Sequence, residues 1–316
     1  MDLTGALVAW YDQHARDLPW RRLGVTPWGV LVSEFMLQQT PVARVAPVWS
    51  AWMLRWPQPS DLAAAPAGDA VRAWGRLGYP RRALRLHECA RLISRQHGGT
   101  VPDDRDALLA LPGVGAYTAR AVVAFAFGQR HPVVDVNVRR VVARLVHGRG
   151  QPGAASPRRD HGDVDALLPD TAPLAARLSI ALMELGATVC RAAAPTCTQC
   201  PVADACAWRR AGYPPAADRP ARAQPFPGTD REVRGRLLDV VRTVNEPVER
   251  ARLDLVWPEP VQRDRALHSL IVDGLVVRRP DGHFALPGGA DCDPGGGDPG
   301  NGEPADQDPI HRRATT

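Results

Sequence analysis

Leu111-Pro112-Gly113-Val114-Gly115 interrupts two helical patterns, one around residues 104–110 and the next over 116–127. Glycine lets the backbone turn tightly and brings its N–H groups close to a ligand. The second helix aims its N-terminus at the same point, which makes a seat for a phosphate oxygen. A Pro-Gly turn between helices is common, so its meaning depends on the rest of the chain. The 316 residues carry a net charge of +5, and all 39 basic side chains are arginine, with no lysine. Residues 288–316 hold six acids and two arginines, a net −4, which leaves +9 for the remainder. A basic body behind such a turn suits a polyanion, and together with the cysteine quartet at 190–206 it makes contact with a DNA backbone the better reading of the turn.

Outward from the turn, residues 1–210 read as almost all helix. Helical spacing runs over 2–15, 29–39, 69–77, 81–96, 104–110, 116–127, 136–147, 162–168 and 171–187, and alternating strand patterns are scarce. Thr40-Pro41 reads as a helix start, with Thr40 as N-cap, followed by Val42, Val45, Val48, Trp49 and Trp52. Residues 148–160 read as a loop, and the prolines 214, 215, 220, 225 and 227 mark a linker over 211–229. No apolar run approaches the ~20 residues needed to cross a bilayer, so no membrane role is expected. Met1-Asp2-Leu3-Thr4 lacks a signal-peptide pattern, and the expected compartment is the reducing cytoplasm.

Four of the six cysteines, Cys190, Cys197, Cys200 and Cys206, form C-x6-C-x2-C-x5-C just after a helix. Four thiolates this close can wrap one metal centre, and a reducing compartment disfavours disulfides. Structural zinc is the alternative, but it usually shows two short-spaced pairs, and only Cys197/Cys200 is short-spaced. Thiolate ligation suits a [4Fe–4S] cluster. Cys89 reads as a small buried hydrophobe and Cys292 as a free thiol.

Glu34 is the only charge in Val30-Leu31-Val32-Ser33-Glu34-Phe35-Met36-Leu37. It either escapes to an exposed face or sits desolvated with a raised pKa, the condition a general acid needs at neutral pH. Asp135 precedes the helical pattern of Val136-Asn137-Val138-Arg139-Arg140. It reads as an N-cap, or as a carboxylate that faces a cation.

Together these pieces resemble the helix-hairpin-helix DNA glycosylase superfamily over about residues 5–210. Leu18-Pro19-Trp20, Ser33-Glu34-Phe35-Met36-Leu37-Gln38-Gln39-Thr40, Gly78-Tyr79 and Met183-Glu184-Leu185-Gly186-Ala187 resemble its A/G-specific adenine glycosylase (MutY) branch. The resemblance implies that Glu34 protonates departing adenine at N7 and that Asp135 stabilises an oxocarbenium-like sugar, a two-carboxylate logic shared with glycosidases. It implies that Gln39 and Tyr79 wedge into the duplex near the base opposite adenine once the adenine is flipped out. Gln38 and Thr40 flank this wedge, Gly113 and Gly115 grip phosphate, and Asn137 stands beside the catalytic aspartate. Arg16, Arg21 and Glu184 match positions near the adenine pocket. Tyr117 sits where lyase-active relatives carry a lysine, so a monofunctional enzyme is implied. Pro80 and Val136 depart from the family pattern without touching these groups.

The expected architecture is all-α in its catalytic part. A six-helix domain spans 22–131, and residues 1–21 join 132–210 in a second helical domain that carries the cluster. After the 211–229 linker, residues 230–287 read as a winged-helix-like unit: three short helices and a hairpin through Pro280-Asp281-Gly282. Its Arg263, Arg265, Arg278 and Arg279 are candidates for phosphate contact. The Gly- and Asp-rich tail, 288–316, is expected to be disordered. The expected activity is removal of adenine mispaired with 8-oxoguanine or guanine in double-stranded DNA, by a monomer that works on nucleoid DNA. The rivals are an endonuclease III-like lyase for oxidised pyrimidines and a non-enzymatic iron–sulfur DNA-binding regulator.

Overall fold

The computed structural model describes residues 2–215 and 226–288. Most of the expected tail, Cys292 and the middle of the linker lie outside the described residues. Helices α1 (Leu3–His14), α2 (Pro27–Leu37), α3 (Val42–Arg55), α4 (Pro59–Ala64), α5 (Ala67–Trp74), α6 (Arg81–Gln96), α7 (Arg105–Leu109) and α8 (Ala116–Phe127) come first. They are followed by α9 (Val136–Leu145), α10 (Pro157–Asp165), α11 (Ala172–Thr188) and the short α12 (Ala207–Arg210). The C-terminal unit contains α13 (Asp230–Thr243), α14 (Arg250–Asp254), α15 (Pro260–Val272), β1 (Val277–Arg278) and β2 (Phe284–Ala285).

Two large apolar cores divide most of the helices, with a small third cluster of Ala121, Ala124, Val133 and Ala176 where α8 meets α11. The larger collects α2 through α8 around Leu31, Phe35, Trp52, Trp74 and Leu86. The smaller joins α1, α9 and α11 through Leu7, Val138, Val142, Leu178 and Leu182, so the N-terminal helix packs with the later half of the chain. Helix α2 is buried at every residue from Trp28 to Met36. A helix apolar on all sides belongs in the middle of its domain, and that position takes Glu34 inside with it. Thr26 caps α2 by accepting from the Gly29 N–H at 3.2 Å. Trp49 donates to the Gly29 carbonyl at 2.8 Å and locks α3 across it.

The local expectations need three corrections. Thr40 does not cap α3, which starts after Pro41 with no side-chain cap. Its hydroxyl is drawn away by the Leu77 carbonyl at 3.2 Å and the Arg82 guanidinium at 2.9 Å. The 148–160 loop ends early because α10 begins at Pro157, where proline suits a first helical position. Asp160 then reaches back to the Ser156 N–H at 3.0 Å. Helix α4 escapes a periodicity reading because it is only six residues long. Its signal was the Gln58–Asp61 capping pair, in which the Gln58 N–H meets Asp61 at 2.9 Å.

The C-terminal unit is three helices and an antiparallel hairpin, with Val277 opposite Ala285 and Arg278 opposite Phe284. Val248 pairs with Phe284 through both backbone groups, at 2.7 and 2.8 Å, as an isolated bridge beside the hairpin. Its Val233, Leu237, Leu238 and Val241 belong to the same buried cluster as Trp74 and Leu86, so the unit shares the core of the α2–α8 domain. Two of the arginines proposed for phosphate are engaged inside the unit. Arg263 bonds the Asp254 and Trp257 carbonyls, both at 2.9 Å, and Arg265 closes bidentately on Asp230 at 2.8 Å.

Candidate active site

Glu34 lies on α2 facing α8, and only 6% of it is exposed. Burial pushes its carboxyl up to about 7, against a hydrogen bond with Tyr117 and the charge of Arg21, while Asp135 pushes it further up. Of the two sequence alternatives, the buried acid is the one observed. Tyr117 lies on the first turn of α8. Burial and the neighbouring Glu34 and Asp135 carboxyls raise its hydroxyl well above the usual range, so it stays a neutral partner of Glu34.

Asp135 does cap α9: one oxygen accepts from the Val138 N–H at 2.7 Å, the other from the Asn137 side chain at 2.8 Å. Burial raises its pKa despite these bonds. The cap geometry fixes where the carboxyl points, and the structural role leaves the carboxyl beside Glu34 and Tyr117. Asn137 is held in turn by Arg140 at 2.7 Å. The same guanidinium donates to the Gly186 and Cys190 carbonyls, both at 2.7 Å. This buried arginine, which sequence reasoning did not single out, ties Asp135 to the cysteine loop. Gly186 permits the close approach, since a Cβ there would lie 2.7 Å from that of Asn137.

Glu184 is fully buried on α11. Burial opposes its ionisation, but bonds from Arg16 (2.6 and 2.8 Å) and Arg21 (2.8 Å) hold its pKa at about 2. Arg21 thus stands between the Glu184 charge and Glu34.

Gln39 and Tyr79 sit at the ends of two different helices, both with left-handed backbone, φ 55° and 47°. Tyr79 is 54% exposed. Between them lies Arg82, a second residue missed from the sequence, hidden there among Arg81 and Arg85. Its guanidinium donates to the Phe35 carbonyl at 2.8 Å, the Gln38 carbonyl at 2.5 Å and the Gly78 carbonyl at 3.1 Å. Burial pulls its pKa down to about 10. Gln38 itself reaches toward the Thr118 hydroxyl on α8, at 3.5 Å.

The turn before α8 behaves as glycine requires. Gly113 has φ 79°, and a Cβ there would strike the Phe35 ring at 2.8 Å. Gly115 starts α8 with no side-chain cap. The first-turn N–H groups of α8 are therefore left for an outside acceptor, as a phosphate contact needs.

The four cysteines line one loop beside α9. Arg144 holds that loop by donating to the Arg191 carbonyl at 2.7 Å and to the Cys190 sulfur at 3.4 Å. Burial pushes the Cys200 thiol up to about 11, and the nearby Cys190, Cys206 and Cys197 each add to the shift. Among the described residues, no three His, Cys, Asp or Glu side chains close on the geometry of a single metal ion. Four thiols on one loop are a donor set that a structural metal or an iron–sulfur cluster can take. Cys89 is buried on α6, and burial takes its thiol up to about 12, as suits an inert core residue.

Comparison with known proteins is consistent with this geometry. Residues 32–159 match the HhH-GPD superfamily of base excision DNA repair proteins. The chain is 62% identical over 285 residues to an adenine DNA glycosylase of Mycobacterium tuberculosis, covering 89% of this chain and 92% of that one. It is 59% identical to that of Mycolicibacterium smegmatis, covering 89% and 95%. Identity to the human adenine DNA glycosylase is 42%, over 65% of this chain and 39% of that one. Among solved structures, a thermostable thymine-DNA glycosylase superposes with TM-score 0.59 at 26% identity, covering 66% of this chain and 95% of that one. A non-covalent endonuclease III–DNA complex gives 0.56 at 24%, covering 66% and 94%, a likeness of fold. The endonuclease III-like and regulator readings give way here, and the chain belongs to the adenine DNA glycosylases, MutY-like enzymes of the helix-hairpin-helix superfamily that remove adenine in base excision repair.

Proposed function

We propose that this glycosylase excises adenine paired with 8-oxoguanine or guanine, with Glu34 as general acid and Asp135 as the anion beside the sugar. The observation that carries the reading is Glu34: a buried carboxyl with a pKa of about 7 holds a proton at neutral pH and can release it. A catalytic pKa near the working pH balances the fraction protonated against the drive to transfer. In this reading Glu34 protonates the flipped adenine at N7 and the bond from the base to the sugar C1′ breaks. Asp135, fixed by Asn137 and the Val138 N–H, faces the cationic sugar until water adds at C1′ and gives a proton back to the Glu34 carboxylate. Tyr117 holds Glu34 and offers no amine. With no lysine in the chain, a covalent lyase step lacks its usual nucleophile.

Arg16, Arg21 and Glu184 build the wall behind Glu34, Gln39 and Tyr79 enter the duplex, and Gln38 and Thr40 support them. Gly113 and Gly115 take a phosphate. Cys190, Cys197, Cys200 and Cys206 would hold a [4Fe–4S] cluster, which supplies a stiff loop that Arg140 connects to Asp135. The enzyme would work as a monomer on nucleoid DNA in the cytoplasm. The test is adenine release from duplexes with adenine opposite 8-oxoguanine, guanine, cytosine and thymine. Fast release from the first two and slow release from the others is expected; equal rates on all four would remove the mispair assignment.

A further inference from the structure

We infer that the C-terminal unit is a clamp for the loop that carries Tyr79, with Arg242, Asp239 and Asp273 as positioning residues. The inference rests on the reading of Tyr79 as the group that enters the duplex. Helix α13 lies along α5, and the seam is closed at both ends. Arg72 on α5 donates to the Val244 carbonyl at 2.7 Å. At the other end the Pro287 carbonyl accepts from the Gly68 N–H at 2.7 Å, which satisfies a donor in the uncapped first turn of α5.

From this seam the unit grips segment 75–81 on both sides of Tyr79. On the near side, Arg242 donates to the Gly75 carbonyl and is itself held by Asp239. The other Asp239 oxygen pairs with Arg76 at 2.9 Å. On the far side, Asp273 pairs with Arg81 at 3.3 Å and is anchored by Arg234 at 2.6 Å. Exposed ion pairs alone contribute little. Arg242, however, is only 11% exposed in its side chain, and it spans the two units directly.

The physical need is specific to a wedge. Opening a base step costs a few kcal/mol, and the duplex pushes back on the group that opens it. A loop free to yield would relax and leave the stack closed. Tyr79 also holds a left-handed backbone, which persists only where the surroundings over-determine it. Arg82 braces the loop from inside the catalytic domain, and the C-terminal unit braces it from outside. The unit's own arginines point the same way, since Arg263 and Arg265 are engaged inside it rather than offered to phosphate.

The experiment uses the full-length protein under single-turnover conditions, on a duplex with adenine opposite 8-oxoguanine and on one with 2-aminopurine as the target base. Tyr79→Ala, Arg242→Ala, Asp273→Asn and the double variant Tyr79→Ala/Arg242→Ala are compared, with melting curves for each. Arg242→Ala is expected to slow release roughly ten-fold and to reduce the 2-aminopurine unstacking signal, because misplacement of a positioning group costs rate before affinity. Arg242→Lys should recover part of the loss. In the Tyr79→Ala background, Arg242→Ala should cost nothing further. Asp273→Asn breaks a partly exposed pair without opening the apolar seam, so its slower release cannot be laid to unfolding. Wild-type rates for Arg242→Ala and Asp273→Asn beside a slow Tyr79→Ala would overturn the clamp alone, as would full additivity in the double variant. A wild-type rate for Tyr79→Ala would overturn the wedge reading and the clamp with it.

Discussion

Gln39 and Tyr79, far apart in the chain, share one brace: Arg82 bonds the carbonyl just before each of them, at Gln38 and at Gly78. Both residues hold left-handed backbone, which costs a non-glycine residue ~1–2 kcal/mol. A buried guanidinium with several acceptors is a strong enough partner to offset that, since each charge-assisted bond contributes ~1.5–3 kcal/mol. The two proposed wedge residues are therefore one mechanical element.

Arg82→Met should consequently destabilise the protein by about 3 kcal/mol, because the buried Phe35 carbonyl and Thr40 hydroxyl and the less buried Gln38 and Gly78 carbonyls lose their donor. Chemical denaturation measures this. At temperatures where the variant stays folded, adenine release should still be slow. Wild-type stability would show that the arginine is an ornament of the loop.

Glu34→Gln should abolish adenine release while leaving mispair binding intact, a loss of ~10²–10⁴-fold or more. In the wild type, the rate should fall as pH rises through about 7, where the acid loses its proton. The stability consequence has the opposite sense from a paired carboxylate. With its folded pKa raised from 4.5 to about 7, Glu34 favours the folded state at low pH and loses that stability as pH rises across this window. The loss is on the order of 3 kcal/mol, so Glu34→Gln should unfold at a higher temperature than wild type at pH 8. A variant that melts no higher than wild type at pH 8 would remove the raised acid.

Gly186→Ala pits two effects against each other. Alanine in place of glycine inside a helix contributes up to ~1 kcal/mol. The added Cβ would meet the Asn137 Cβ at 2.7 Å and the Asn137 carbonyl oxygen at 2.8 Å, and overpacking of that kind costs ~1–3 kcal/mol. The clash is with another helix's backbone, so it should win, lowering the melting temperature. Displacing Asn137 should also slow base release. A stabilised, fully active variant would show that α9 and α11 can part freely.

The purified protein should be brown and contain roughly four iron atoms per chain. Cys200→Ser should lower iron content and loosen the α1–α9–α11 domain, read by proteolysis and thermal melting. Colourless, active protein with one zinc would overturn the cluster.

Much of this was legible in one dimension because the signals were local. The glycine turn before α8, the spacing of Cys190, Cys197, Cys200 and Cys206, and the lone Glu34 in an apolar run each show their character within a short span. A turn needs its glycines, cysteines close in sequence share a loop, and an apolar run needs burial, wherever the chain goes next. The three helices and the hairpin of residues 230–287 were local in the same sense. Tertiary structure alone decided the rest. Thr40 has every local qualification of an N-cap, yet Leu77 and Arg82 claim its hydroxyl. Arg82, Arg140 and Arg242 look like any of the 39 arginines in the sequence. What separates them is burial beside carbonyl groups distant in the chain, and a guanidinium's five donors gain their meaning only when folding excludes the water that would otherwise satisfy them.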